Sequence, residues 1–270
     1  MNLLTQLPVG RYIVADSFLH QLDPRTKLLV ILAFIFTIFQ ANNIMSFAVA
    51  TLFVFYAIKL SPVSSTYLIK GFKLVWMILV LTSFFHIFFT RQGELIFSLG
   101  FIEIYREGLE RAGIVSLRLA LLILLASLLT LTTKPLALAL GIERLLHPLK
   151  KLKVPVHEFA LMLTVALRFV PTLTQELERL IKAQRARGAT FTKGRTKDRM
   201  AAVIPIFIPL LVSSFQRAED LAVAMEARGY TGGEGRTQLR QLHFSADDAI
   251  AGVVTVGVCL LLLTVRSWSL

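Results

Sequence analysis

Glu178-Arg179-Leu180-Ile181-Lys182-Ala183-Gln184-Arg185-Ala186-Arg187-Gly188-Ala189 returns 41 positions later as Glu219-Asp220-Leu221-Ala222-Val223-Ala224-Met225-Glu226-Ala227-Arg228-Gly229-Tyr230, with six of the twelve pairs identical. Apolar residues recur before each Gly at helical spacing, and Gly most readily takes the left-handed conformation that follows a helix C-terminus. Each copy is therefore predicted to be a helix that stops at Ala-Arg-Gly with an Arg in its last turn. Upstream of the first stop, Leu173, Leu177, Leu180 and Ile181 share one face; upstream of the second, Leu211, Phe215, Ala218, Leu221 and Met225 do. The first helix is expected over 155–187 with a kink at Pro171, the second over 200–228 with interruptions at Pro205 and Pro209. Neither reads as apolar enough to span a bilayer. The basic, polar stretch 190–199 between them, with Gly194 inside it, reads as a turn.

Outside this pair the chain is far more apolar. Of its 270 residues, 55% are hydrophobic and the mean hydropathy is +0.68, against roughly 45–50% apolar usage in an ordinary soluble domain. The excess lies in runs that approach the ~20 residues needed to cross a bilayer core. Asp23 and Pro24 form an N-cap and first helical position, and a span follows over 24–41. Asn42 and Asn43 divide it from the next, because one helix from Pro24 to Leu60 would be about 55 Å long. Further spans are expected over 43–60, 71–90, 107–133 and 247–265, the last opened by a capping box at Ser245-Ala246-Asp247-Asp248. The fold class is thus an all-α integral membrane protein: about five transmembrane helices plus a module of two or three amphipathic helices. Its segments are 1–133, with the first four spans; 134–240, with both Ala-Arg-Gly ends; and 241–270, the last span.

Charge gives these segments a side. From Lys134 to Arg240 there are 18 Lys and Arg against 9 Asp and Glu, a surplus of 9 in a net charge of +12. Basic residues gathered beside apolar spans mark a cytoplasmic face. Lys59, Lys70 and Lys73 also have no acid near them, whereas 91–111 carries three basic and four acidic residues. The N-terminus and the 134–240 module are therefore expected in the cytoplasm, with Trp268 at the outer interface. Residues 136–153 read as a helix lying at the membrane surface, and Gly232, Gly233 and Gly235 as a flexible loop. The start, residues 1–22, lacks a secretory-signal pattern and is expected to stay in the mature protein.

The chemistry of catalysis is sparse. There is no Walker-type phosphate loop, no His-Glu-x-x-His, no Gly-x-Ser-x-Gly and no paired carboxylate within a span. The single Cys259 excludes an internal disulfide and a cysteine metal cluster, and reads as apolar filler. No cofactor and no metal site are expected, and catalysis by this chain alone is not. No aromatic-interleaved basic module accompanies the charge, which argues against nucleic acid. His86 and Arg118 are the ionisable residues in the spans that could line a pathway, although snorkelling accounts for both.

The repeated Arg remains. At one helix end it could simply favour the macrodipole, but two like ends weaken that account. Small Ala beside a five-donor guanidinium lets a helix tip enter a narrow groove and meet a carboxylate bidentately, with the apolar stripe behind it as a second contact.

Leu22-Asp23-Pro24-Arg25-Thr26-Lys27-Leu28, Leu167-Arg168-Phe169-Val170-Pro171-Thr172-Leu173 and both Ala-Arg-Gly ends resemble the transmembrane T component of energy-coupling factor transporters, the family that includes the membrane subunit of cobalt and nickel importers. The resemblance covers almost the whole chain. It implies a non-catalytic scaffold in the cell membrane with two ABC-type ATPase subunits at the cytoplasmic face, each accepting one Ala-Arg-Gly end, and a small membrane S component that binds a vitamin or other micronutrient. Carried over, the ATPase-binding residues are Ala186, Arg187, Gly188, Ala227, Arg228 and Gly229. A dedicated cobalt/nickel importer subunit is the alternative within the family. A self-sufficient secondary carrier, or an anchored module binding RNA or acidic lipid, are alternatives outside it.

Overall fold

The computed structural model describes residues 15–62, 65–99, 102–189, 191, 196–232 and 243–267. Along the chain these form α1 (Phe18–Gln21), α2 (Pro24–Gln40), α3 (Ile44–Leu60), α4 (Ser65–Phe89), β1 (Leu95–Leu99), β2 (Ile102–Tyr105), α5 (Arg106–Thr132), α6 (Pro135–Leu146), α7 (Val156–Ala186), α8 (Thr196–Ala227) and α9 (Ala246–Ser267). The described residues group into two compact units, one drawn from 15–141 with 243–267 and the other from 142–232. The readings for Gly194, Gly233, Gly235 and Trp268 fall outside the described residues.

In the first unit α2, α3, α5 and α9 meet around Phe34, Ile38, Phe47, Val54, Leu125 and Leu262, all at most 4% exposed. Phe34 stacks on Phe53 with ring centroids 5.3 Å apart. Ser46 and Ala50, both fully buried, let the backbone of α3 come close. Small residues at contact points are how helices gain packing where lipid tails remove the hydrophobic drive to associate. The α4–α5 pair follows the same rule: a Cβ on Gly108 would lie 3.0 Å from the carbonyl oxygen of His86, and the Ser83 and Ser116 hydroxyls meet at 2.7 Å.

The capping signals act as read. Asp23 accepts from Arg25 N at 2.9 Å with Pro24 in the first turn. Ser245 and Asp248 form the reciprocal box: Asp248 Oδ2 accepts from Ser245 N at 2.8 Å, and Asp248 N donates to Ser245 Oγ at 3.3 Å. The turn between α2 and α3 lies at Ala41–Asn43, as the Asn pair predicts.

Several expectations change. Residues 136–153 are not one helix: α6 ends at Leu146 and a 3-10 turn, His147–Leu152, follows, because Pro148 has no N–H to continue the ladder. Pro205 and Pro209 do not interrupt α8; each proline removes one bond from a ladder that its neighbours keep, and α7 runs through Pro171 as the one long helix expected. The α8 helix also begins at Thr196, four residues before the predicted start. The stretch after α4 holds a β-hairpin pairing Leu99 with Ile102 and Leu95 with Tyr105, where the Tyr105 hydroxyl donates to Glu103 at 2.9 Å, raising its pKa.

The reading that the two repeat helices are too polar to span is corrected as well. Among the described residues, four helical stretches are long and apolar enough to cross a membrane: Arg106–Thr132, Val156–Ala186, Met200–Ala227 and Ala246–Arg266; Ile44–Leu60 and Val75–Phe89 are shorter apolar helices. The charges of α7, and those of α8 from Met200 onward, crowd the C-terminal part of each helix and leave an apolar run before it. The protein is an all-α, multi-pass membrane protein.

Candidate functional site

The Ala-Arg-Gly ends of α7 and α8 fold identically. At the first, Gly188 N donates to Arg185 O at 3.0 Å and Ala189 N to Gln184 O at 3.0 Å; at the second, Gly229 N donates to Glu226 O at 2.9 Å and Tyr230 N to Met225 O at 3.0 Å. This is the Schellman pattern, in which the two residues after the cap satisfy the orphan carbonyls of the last turn. It needs a left-handed residue after the cap, and Gly188 and Gly229 supply φ of +87° and +72°. A Cβ on either would meet nothing within 4 Å, so conformation and not space selects Gly there.

The arrangement bears directly on the Arg. Because backbone groups already satisfy the last carbonyls, neither guanidinium is needed to cap its own helix. Ala186, Arg187, Gly188, Ala227, Arg228 and Gly229 are all exposed. Among the described residues, no ion pair or hydrogen bond holds the side chain of Arg187 or Arg228. Each tip therefore offers five N–H donors beside a residue too small to obstruct an approaching surface.

Behind the tips, α7 and α8 cross. Arg217 donates to Glu176 Oε2 at 2.7 Å, and its Nε is held 3.3 Å from Ser213 Oγ. Beside that pair lies a groove between Val165, Phe169 and Leu173 of α7 and Leu221, Ala222 and Met225 of α8. The α8 stripe expected from helical spacing is thus divided. Leu221 and Met225 line the groove, whereas Leu211 is 43% and Phe215 68% exposed, because the face that meets α7 is turned toward Ser214, Arg217 and Ala218.

A model of the family described as cobalt transport protein matches residues 15–239. A relative from Brevibacillus brevis is 50% identical over 254 residues, covering 94% of this chain and 96% of its own. One from Bacillus subtilis is 45% identical over 265 residues, covering 98% and 100%, and one from Streptococcus thermophilus is 45% identical over the same length. All three are named energy-coupling factor transporter transmembrane protein EcfT. The chain belongs to this family. It is the transmembrane component of an energy-coupling factor transporter, and its relatives bear the names of membrane subunits and not of enzymes.

The Leu22–Leu28 motif, a helix start that also carries the family resemblance, is the centre of a bonded cluster. Around Leu22–Leu28, Asp248 Oδ1 accepts from Asp23 N at 2.8 Å. Lys27 Nζ donates to Thr132 O at 3.2 Å and to Thr133 Oγ1 at 3.1 Å, at the end of α5. The Arg25 guanidinium lies 3.3 Å from Asp23 and over the Phe244 ring, and a Cβ on Gly141 of α6 would come within 3.0 Å of Pro24 Cβ. The motif thus joins the starts of α2 and α9 to the end of α5 and the middle of α6. The available signal was an Asp-Pro start followed by a Lys that hydropathy alone would not place inside a bundle.

Of the two ionisable residues singled out in the spans, Arg118 does not snorkel. Its guanidinium donates to Ala41 O at 2.8 Å, at the C-terminus of α2, between the Phe39 and Phe47 rings. It acts as a cap delivered from another helix. His86 is half-buried near the end of α4.

Proposed function

We propose that this chain is the scaffold through which two ABC-type ATPase subunits drive a small membrane S component that binds a vitamin or other micronutrient. Each ATPase accepts one helix end, with Arg187 and Arg228 as the anchors and Ala186, Gly188, Ala227 and Gly229 shaping the tips. ATP hydrolysis belongs to the partners. The N-terminus and both Ala-Arg-Gly ends face the cytoplasm. What supports this reading is that two exposed Arg side chains leave identical Schellman ends with no partner among the described residues. A buried carboxylate on each ATPase would supply the missing half of a bidentate pair.

The test is purification of the chain from its own membranes, with uptake of radiolabelled water-soluble vitamins measured in the same cells. Two ATPases and a small membrane protein should co-purify. Arg187→Ala or Arg228→Ala should weaken the ATPase bands and reduce uptake by about tenfold, and the double variant should abolish both, since losing one partner of a desolvated charge pair costs roughly 2–5 kcal/mol. Unchanged attachment and uptake in the double variant would sink the mechanism.

The description of the matching family, cobalt transport protein, favours a second reading: a dedicated cobalt or nickel importer. Uptake of Co2+ or Ni2+ in place of any vitamin would decide for it.

A further inference from the structure

We propose that the Glu176–Arg217 ion pair is a positioning device that fixes the crossing of α7 and α8 and thereby sets the separation of Arg187 and Arg228. The proposal rests on the reading that both tips are docking ends. The two residues are 41 positions apart and meet at 2.7 Å, the same offset that relates the two Ala-Arg-Gly copies. The helices therefore cross at equivalent positions, where one copy carries Glu and the other Arg. Arg187 follows Glu176 by 11 residues, as Arg228 follows Arg217. Both arms thus extend by the same length, about 16 Å at 1.5 Å per residue.

The direction of the arms follows from the groove. Leu221, Ala222 and Met225 of the α8 arm lie beside Val165, Phe169 and Leu173, which precede the crossing in α7. The two C-terminal arms consequently leave the crossing through its wide angle and diverge. In that geometry a change in crossing angle of about 10° moves each tip by about 3 Å over a 16 Å arm, comparable to the reach of one hydrogen bond.

Apolar packing at the crossing is thin. Ser214 and Ala218 are small, while Leu211 and Phe215 are 43% and 68% exposed. A charge-assisted bond is directional where such packing is not. The Glu176 and Arg217 side chains are only 23% and 38% exposed, and Ser213 orients the guanidinium from the turn before it.

The experiment measures the tip separation directly. In the full chain with Cys259→Ala, spin labels go on Ala183→Cys and Ala224→Cys, two exposed positions that the 41-residue offset also relates. Glu176→Gln and Arg217→Ala are expected to broaden the label distance distribution by about 3 Å or more, and the exchange Glu176→Arg with Arg217→Glu to restore a narrow one. ATP hydrolysis by the complex purified with its ATPases should fall about five- to tenfold in the single variants and recover in the exchange. A distribution unaffected by either single variant, or not restored by the exchange, overturns the proposal. Arg187→Ala with Arg228→Ala separates the two readings. If ATPases stay attached in that variant, the docking reading falls, while the label distances still judge the ion pair on their own.

Discussion

The Asp248 carboxylate accepts a hydrogen bond from the backbone N–H of Asp23 at 2.8 Å, joining two helix starts 225 residues apart. Asp23 at the same time caps α2, and the second Asp248 oxygen accepts from both Ser245 N and Ser245 Oγ. Two N-terminal turns are thus held by one shared set of bonds, at a position where Asp248 is 4% exposed.

Asp248→Ala is expected to lower stability by about 2–4 kcal/mol, the sum of a lost cap and a buried N–H left without a partner. Asp248→Asn, which keeps one acceptor, should lose about half as much. Thermal unfolding of the detergent-purified chain measures both, and a melting point for Asp248→Ala within error of the parent would contradict the account.

Glycine substitutions should separate by mechanism. Gly188→Ala and Gly229→Ala force Ala into the left-handed region, about 1–2 kcal/mol each, in open space at helix ends. They should raise amide exchange over 184–189 or 225–230 and leave the global melting point nearly unchanged. Gly141→Ala has the opposite profile, with a Cβ driven to 3.0 Å from Pro24 Cβ; it should cost about 1–3 kcal/mol of global stability through overpacking.

Arg187→Ala and Arg228→Ala should be silent in the isolated chain, within about 0.5 kcal/mol of the parent, as exposed positions without partners usually are. A marked fall in melting point would mean that these residues serve the chain's own fold and not a partner.

Arg118→Met is expected to destabilise by about 2 kcal/mol. It keeps much of the length between Phe39 and Phe47 but leaves the Ala41 carbonyl without its donor. Arg118→Lys should recover part of the loss. Equal melting points for Arg118→Met and the parent would show instead that the side chain only snorkels.

Much of the molecule was legible in the residues because the signals are local. Asp23 before Pro24, the capping box at Ser245 and Asp248, and the Gly after each repeat mark helix ends by backbone chemistry that acts within one turn, and all four ends lie where they mark them. Hydropathy likewise located α2 to α5 and α9. It misjudged α7 and α8, since an average taken near their charged ends conceals the apolar halves, and it overstated Pro205 and Pro209, which a helix in a membrane protein accommodates.

The sequence by itself determined an all-α membrane chain, the positions of its helix ends, and two matching Arg-bearing tips, because each depends on propensities and bonds that neighbours along the chain supply. Only the tertiary structure decided that Arg118 caps α2, that Lys27 reaches the end of α5, that the α8 face toward α7 centres on Arg217 and not on Phe215, and that Glu176 meets Arg217. Those are contacts between residues 41 to 105 positions apart or between separate helices, and nothing in a local pattern encodes the rotation of one helix against another.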